Sequence, residues 1–142
     1  MLSFDTTEIA NDPNVDLVVV SIRVDRHASA LIPAIKAGKA VFVEWPIEAN
    51  YAIAKELTDL VKLHDVRNVV GLQGRWAPVA RKIQELIGTG EIGDLESSTI
   101  VAKNRSGPTI PSQIDYFTDK KVGGNQFTIG LGHSMEFLLE GK

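Results

Sequence analysis

The stretch that decides the fold runs from Val15 to Pro46 and reads VDLVVVSIRVDRHASALIPAIKAGKAVFVEWP. Its opening run, Val15 to Ser21, is rich in valine, which is typical of a parallel strand covered by helices on both faces. Helical periodicity follows from Asp25 to Ala37, and a second apolar run, Ala40 to Glu44, is stopped by Pro46. The stretch therefore predicts a strand, a crossover helix and a second, parallel strand.

The predicted helix carries one apolar stripe and two boundary signals. Asp25 is an expected N-cap, and Gly38 is an expected left-handed glycine just beyond the helix end. An interior proline removes a backbone hydrogen bond, so we expect Pro33 to bend or split the helix. The stripe that should face the sheet consists of Ala28, Leu31, Ile32 and Ile35.

A strand, helix, strand unit of this kind also locates a ligand site. The crossover is nearly always right-handed, and ligands of open parallel sheets bind beyond the carboxyl ends of the strands. We therefore expect a site formed near Ser21, Ile22, Arg23, Glu44 and Trp45.

Composition narrows the class of protein. The 142 residues suffice for one domain, and the net charge of −3 gives no general electrostatic reason to bind nucleic acid. The absence of cysteine rules out a disulfide or thiolate metal site, and no His, Asp and Glu cluster has metal-ligand spacing. With no signal peptide and no long apolar run, we expect a soluble intracellular protein, cytoplasmic or nuclear.

The alternation of helices and strands continues along the chain. Asn50 is the expected cap of a helix whose sheet face holds Ile53, Leu57, Leu60 and Val61. Residues 66–73 are a predicted third strand, Gly74 to Trp76 a turn, and Pro78 the start of a helix. The buried stripe of this last helix is expected to be Val79, Ile83, Leu86 and Ile87.

The composition changes after Asp94. A further strand is predicted from Leu95 to Lys103, a polar loop from Asn104 to Lys120, and a short apolar helix from Leu131 to Leu139. The sequence thus predicts an α/β fold: a partial Rossmann-like parallel sheet with helices, followed by the start of a second α/β (α+β) domain.

The glycine-rich turn of dinucleotide-binding folds is missing. No G-x-G-x-x-G occurs before Val15, and this turn normally supplies the backbone donors that hold the pyrophosphate. Any dinucleotide affinity must then come from the remaining strand ends, and we expect it to be weak.

Several motifs in order resemble Gfo/Idh/MocA-type oxidoreductases: VDLVVVSI, His27, AGKAVFVEWP, LQGR, ELIGTGEIGDL and the late glycines before His133. SIRVDRH, FVEWP and LQGR look most like the fungal branch that includes the galactose-regulon repressor, a noncatalytic relative that binds NAD(P). The resemblance implies that residues 1–94 are the second half of an NAD(P)-binding Rossmann domain and residues 95–142 the beginning of an oxidoreductase-like α/β domain. Relative to that family, both ends are expected to be truncated.

The resemblance also assigns site residues, and two catalytic positions depart from it. Active members have Glu-Lys-Pro where this chain has Glu44-Trp45-Pro46, and an indole is a neutral donor that takes no part in acid–base chemistry. Ile129 stands where an aspartate precedes the histidine, and Glu136 replaces a later aspartate, so His133 is the remaining catalytic candidate.

The candidate contacts to NAD or NADP have simpler alternatives. Glu44 could be a solvated carboxylate, Trp45 a packing residue, His27 a surface or capping residue, and Arg23 the partner of Asp25. His133 could be a structural histidine. The dinucleotide contacts that the strand ends and the resemblance predict together are Ser21, Ile22, Arg23, His27, Glu44, Trp45, Pro46, Gln73 and Arg75.

Three functions are compatible with these observations. The first is a catalytically disabled, regulatory protein that acts through contacts with a protein partner or a second copy of itself. The second is an NAD(P)-dependent oxidoreductase that acts on a sugar or polyol. The third is a truncated gene product without small-molecule function, whose unpaired sheet edges would favour association.

Overall fold

The computed structural model describes residues 5–101 and 116–139. Three strands form one sheet, and five α-helices accompany them in these ranges. In chain order the elements are α1 (Thr6–Asn11), β1 (Leu17–Val20), α2 (His27–Lys36), β2 (Ala40–Glu44), α3 (Tyr51–Leu63), β3 (Asn68–Gly71), α4 (Pro78–Gly88) and α5 (Gly132–Leu139).

The sheet is parallel throughout, with the order β1-β2-β3. Val20 pairs with Val43 in β2, and Glu44 at the end of β2 pairs with Gly71 at the end of β3. The three carboxyl ends therefore meet at one edge, as the sequence predicted. This Rossmann-like arrangement confirms the expected α/β class.

The core lies on one face of the sheet, beneath α2 and α3. The other face is exposed in the part of the chain that the structure describes: Leu17 is 52% exposed and Val19 is 59% exposed. The prediction that β1 is covered on both faces is therefore wrong. An apolar run shows that both faces of the strand carry apolar side chains, but it does not show which elements pack against them. The buried core residues are Val20, Leu31, Ala34, Ile35, Val41, Val43, Leu57 and Val66.

Helix α2 differs from expectation at its start and at its proline. A 3-10 turn, Val24–Arg26, precedes it, and Asp25 is not the N-cap because its carboxylate is bound by Arg23. The helix runs through Pro33 without a break. The carbonyl that an N–H at position 33 would bond belongs to Ser29, an exposed residue whose carbonyl water can satisfy. Gly38 follows the helix with φ of +73°, as predicted.

The later helices are confirmed in position but not always in burial. Asn50 caps α3 by accepting a hydrogen bond from the backbone N–H of Ala52 at 2.7 Å. Of the predicted sheet-facing residues of α3, Ile53 is still 36% exposed. In α4, Val79 is 60% and Ile83 43% exposed, so the burial predicted for these two residues is wrong, whereas Leu86 and Ile87 are half-buried. Amphipathic spacing identified the apolar face of α4, but the described residues do not cover all of it.

The second segment that the structure describes comprises residues 116–139 and follows the change of composition after Asp94. Residues 95–101 form no strand, so the strand predicted from Leu95 is not present in its described part, and most of the predicted loop lies outside the described residues. A wide helical turn, Gln126–Leu131, capped by Asn125, leads directly into α5. The predicted terminal helix is confirmed. Within the described ranges, no helix has the length and apolar character needed to cross a membrane.

Candidate functional site

The candidate site is the edge of the sheet where the strands end. Ser21 and Ile22 follow β1 and are exposed, Trp45 and Pro46 follow β2, and Gln73 follows β3 with an exposed side chain. Parallel pairing brings these three loops side by side. A ligand lying across this edge would contact all three loops.

His27 is buried, with 1% exposure, and is not the surface or capping residue considered from the sequence. Its Nδ1 lies 3.0 Å from the carbonyl oxygen of Ile47, and its Nε2 lies 2.9 Å from that of Ile22. The ring therefore joins the loop after β1 to the loop after β2. Its place is beneath the edge, where it fixes the spacing of the two loops.

Arg23 is already engaged at this edge. Its Nε and Nη2 donate to the two carboxylate oxygens of Asp25 at 2.7 and 2.6 Å, the pair that the sequence offered as an alternative to phosphate binding. The hydrogen bonds from Arg23 hold the pKa of Asp25 below its usual value. The guanidinium carbon also lies 5.9 Å from the ring centroid of Tyr116 in the second segment.

Glu44 supplies the free carboxylate of the edge. It is partly exposed, and no residue in the described ranges hydrogen-bonds to it. Gly71 makes room for it, because a Cβ at position 71 would lie 3.1 Å from Glu44 Oε2 and 3.0 Å from Phe42 Cζ. Register pairing with Glu44 is the signal that could have identified Gly71 from the sequence.

Trp45 faces the second segment. Its Nε1 donates to the carbonyl oxygen of Thr128 at 2.9 Å, and a Cβ at Gly132 would overlap the indole ring. The Trp45–Pro46 peptide bond is cis. The side chain at the family's lysine position is therefore committed to a backbone carbonyl and packed against a glycine, two contacts that sequence motifs did not reveal.

Arg75 and Glu136 tie α5 to the turn after β3. Glu136 is 4% exposed, accepts the backbone N–H of Gly74 at 3.1 Å, and lies 3.4 Å from Arg75 Nε. Arg75 Nε also lies 3.2 Å from the carbonyl oxygen of Leu72. Among the described residues, this is an ion pair between the two segments in which Glu136 is buried and the Arg75 side chain is 37% exposed. Charge-assisted hydrogen bonds are stronger than neutral ones.

His133 lies on α5 beside that pair. Its Nδ1 is 3.5 Å from Glu136 Oε2, and its side chain is 32% exposed. Ile129, one turn earlier, brings no carboxylate to it and instead lies near Gly124. His133 thus joins the Arg75 and Glu136 network, while Trp45 makes a separate contact with the second segment.

This edge fits part of a dinucleotide. Glu44 offers an acceptor for ribose or amide groups, and exposed Ile22 offers an apolar surface, so these residues suit a nicotinamide–ribose unit. The described residues contain no glycine-rich strand-to-helix turn for the pyrophosphate, and Arg23 is paired with Asp25. They also contain no group of three metal-ligating side chains.

A parallel sheet with helical crossovers and a ligand edge of this kind defines a Rossmann-type layer. Residues 3–72 match the model of an oxidoreductase family with an NAD-binding Rossmann fold, Gfo/Idh/MocA. Residues 78–140 match the model of the Gal80p C-terminal domain. The chain therefore combines a Gfo/Idh/MocA NAD-binding domain with a Gal80-like C-terminal domain, as its motifs predicted.

Curated relatives include both enzymes and a regulator. The chain is 37% identical to dehydrogenase aclE of Aspergillus oryzae over 92% of its own length and 37% of the relative's. It is 30% identical to inositol 2-dehydrogenase of Rhizobium meliloti, covering 86% of this chain and 34% of that protein. It is also 30% identical to the galactose/lactose metabolism regulatory protein GAL80 of Saccharomyces cerevisiae, over 69% of this chain and 24% of the relative.

Similarity to solved structures also includes the regulator. The crystal structure of a super-repressor mutant of Saccharomyces cerevisiae Gal80p superimposes with a TM-score of 0.78, covering 94% of this chain and 36% of that one at 23% identity. At that identity the likeness concerns the fold. The chain spans between about a quarter and two-fifths of the length of these relatives.

Proposed function

We propose that this chain is a catalytically disabled member of the family that acts in regulation, through contacts with other proteins, and retains weak affinity for NAD or NADP. The observation that carries the proposal is the environment of Trp45. Its N–H is bound to Thr128 and its ring is packed on Gly132. A group that delivers protons in active members is thus replaced by one that fastens two segments together.

The second departure supports the same conclusion. Ile129 cannot exchange a proton, and His133 faces Glu136 without an acid one turn before it. General acid–base catalysis is typically worth about 10²- to 10⁴-fold in rate, so losing these partners removes much of the expected acceleration. The match of residues 78–140 to the Gal80p C-terminal domain adds support for a regulatory role.

The dinucleotide would be held at the strand-end edge. Glu44 would accept from the nicotinamide or ribose, and the side chains after β1 and β3 would flank it. The bound group would supply a hydride acceptor or donor. In this proposal residues 1–94 form the nucleotide-binding part and residues 95–142 begin the second domain.

The test is NAD(P)-linked turnover of the purified protein with inositols, aldoses and dihydrodiols, followed by NAD(P)H absorbance. We expect no turnover above a buffer control, together with saturable quenching of tryptophan fluorescence by NAD or NADP. The quenching should be reduced in Trp45→Phe and retained in Trp76→Phe. Reproducible turnover that disappears in His133→Ala would overturn the proposal.

An oxidoreductase remains the competing function, and one observation favours it. His133 Nδ1 lies beside the buried carboxylate of Glu136, an arrangement that would hold the ring with Nε2 free to handle a proton. The named dehydrogenase relatives agree with this alternative. The oxidoreductase alternative predicts turnover in the parent protein and a Glu136→Gln variant in which kcat is lowered more than KM is changed. The regulatory proposal predicts no turnover in the parent or in the variant.

A further inference from the structure

A large cavity lies between α3 and the second segment, next to the strand-end edge. Its volume is about 1150 Å³, slightly above the range of about 300–1,000 Å³ usual for small-molecule sites. One wall is a single face of α3, which presents Tyr51, Ala54 and Lys62, and the opposite wall includes Phe127 and Leu131. Nothing in the proposed function uses this space.

The opposite wall is apolar and exposed. Phe127 is 72% exposed, Leu131 43% and Met135 36%, and all three border the cavity. Trp45 borders it as well. Apolar groups concentrated in one concavity suit a ligand with an aliphatic or aromatic body.

The charges of the cavity are unbalanced once the internal pairs are removed. Asp59 is bound by Lys55, and Glu136 is paired with Arg75. The Glu48 carboxylate accepts the backbone N–H groups of residues 28 and 49 and keeps its negative charge, so the lining has a net excess of one positive charge.

Two ammonium groups remain. Lys62 on α3 and Lys120 on the opposite side have no carboxylate within salt-bridge distance in the part of the chain that the structure describes. Lys62 also acts on the Asp59 carboxylate across one helical turn, so the excess is one positive charge, and a net positive charge at the border of an apolar space favours an anionic ligand.

The cavity is distinct from the strand-end site. Glu44, Ile22 and His133 do not line it, and the N–H of Trp45 is directed to Thr128. Trp45, Pro46 and Arg75 border both the cavity and the strand-end edge and form a wall between them. A ligand in the cavity would therefore touch Trp45 without needing the dinucleotide edge.

We propose that this cavity binds an amphipathic carboxylate, a molecule with a long aliphatic or aromatic body and one acid group. The body packs against Phe127, Leu131 and Met135. The carboxylate pairs with Lys62 or Lys120, whose flexible stems reach across the mouth.

Dodecanoate is the probe, titrated below its micelle concentration into the Trp76→Phe protein, in which Trp45 is the remaining tryptophan. We expect saturable change in Trp45 emission. The double variant Lys62→Gln, Lys120→Gln should weaken binding at least about tenfold, since charge-assisted pairs carry that order of affinity. Lys36→Gln, an exposed lysine of α2 outside the cavity, is the matched control and should bind as the parent does.

A second pair of variants tests the location. Ala54→Phe would fill the cavity from α3 and should abolish binding, whereas Ala52→Phe, exposed on the same helix outside the cavity, should not. Dodecanol should bind without regard to the lysine substitutions. Equal dodecanoate affinity in the parent and the double lysine variant, or no binding to the folded parent, would overturn the proposal. Neither result bears on NAD(P)-linked turnover, so this proposal and the proposed function fail separately.

Discussion

In the layer formed by residues 5–101, the buried side chains apart from His27 are aliphatic and recur at the spacings of strands and helices. Polar and aromatic contacts join residues 116–139 to that layer. Trp45 meets a carbonyl and a glycine, and Glu136 meets an N–H and a guanidinium. The layer depends on apolar area, and the junction depends on a few directed contacts. The two regions should therefore respond to different substitutions.

The largest effect should come from a charge in the layer's core. Val43 is 5% exposed in the central strand, and Val43→Asp would bury a carboxylate without a partner. We expect a loss above about 4 kcal/mol, a large share of a typical domain's stability, visible as lost far-UV circular dichroism.

Val19→Asp is the control, on the open face of the neighbouring strand. It should lower the free energy of unfolding, measured by urea titration, by no more than about 1 kcal/mol. A folded Val43→Asp protein with the same midpoint as Val19→Asp would contradict the placement of the core on one face.

The second-largest effect should come from a substitution at the junction, the contacts of Trp45 and Glu136 that join residues 116–139 to the layer. It should disrupt these contacts and leave the layer folded. Gly132→Ala places a methyl group in the Trp45 indole, and overpacking of this kind costs about 1–3 kcal/mol. We expect altered tryptophan emission and lost near-UV signal with the sheet's far-UV signal retained.

Gly88→Ala at the end of α4 meets no atom within 4 Å and should be neutral or stabilising by up to about 1 kcal/mol, because alanine favours a helix over glycine. The double variant Trp45→Ala, Gly132→Ala should recover part of the loss, because the overlap is removed. If Gly132→Ala behaves as Gly88→Ala does, the indole does not pack on α5.

The sequence predicted the layer far better than the junction. Valine runs, the Asn50 cap and Gly38 have local causes, so the strands, α3 and the end of α2 could be located from neighbouring residues. The exposure of Leu17 and Val19 could not be predicted, because a run of valines does not indicate which element, if any, covers each face of the strand.

The residues of the candidate site also fall into those that the sequence could place and those that it could not. Parallel pairing was enough to place Ser21 and Glu44 at one edge. The bond from Trp45 to Thr128 spans 83 positions and the bond from Gly74 to Glu136 spans 62, and neither has a periodic signature. Burial of His27 was missed for the same reason, since its partners are two backbone carbonyls.

A smaller loss at the junction should follow from Glu136→Gln. The amide keeps the shape but gives up the charge that faces Arg75, so we expect about 1–3 kcal/mol, the range for hydrogen bonds to charged groups. Hydrogen exchange at the Gly74 amide should accelerate, because its acceptor is weakened. Glu85→Gln, which removes the exposed pair with Lys82, should stay within about 0.5 kcal/mol. Equal effects of the two substitutions would mean that the Arg75–Glu136 pair does not hold α5.

The smallest effect should be the acid dependence that Asp25 contributes. Hydrogen bonds from Arg23 lower the pKa of Asp25 from its ordinary value of 3.8, so the folded state favours the ionised carboxylate. The stabilisation is present above that ordinary value and is lost as the pH falls through the lower, folded-state pKa. Asp25→Asn should flatten the decline in urea midpoint below about pH 4 and leave the slope near neutrality unchanged. Because Arg23 also lies over Tyr116, chemical shifts of the Tyr116 ring should follow the same acid transition in the parent protein and lose it in Asp25→Asn. An unchanged acid profile in the variant would show that the pair contributes to neither region, leaving the junction to Trp45 and Glu136.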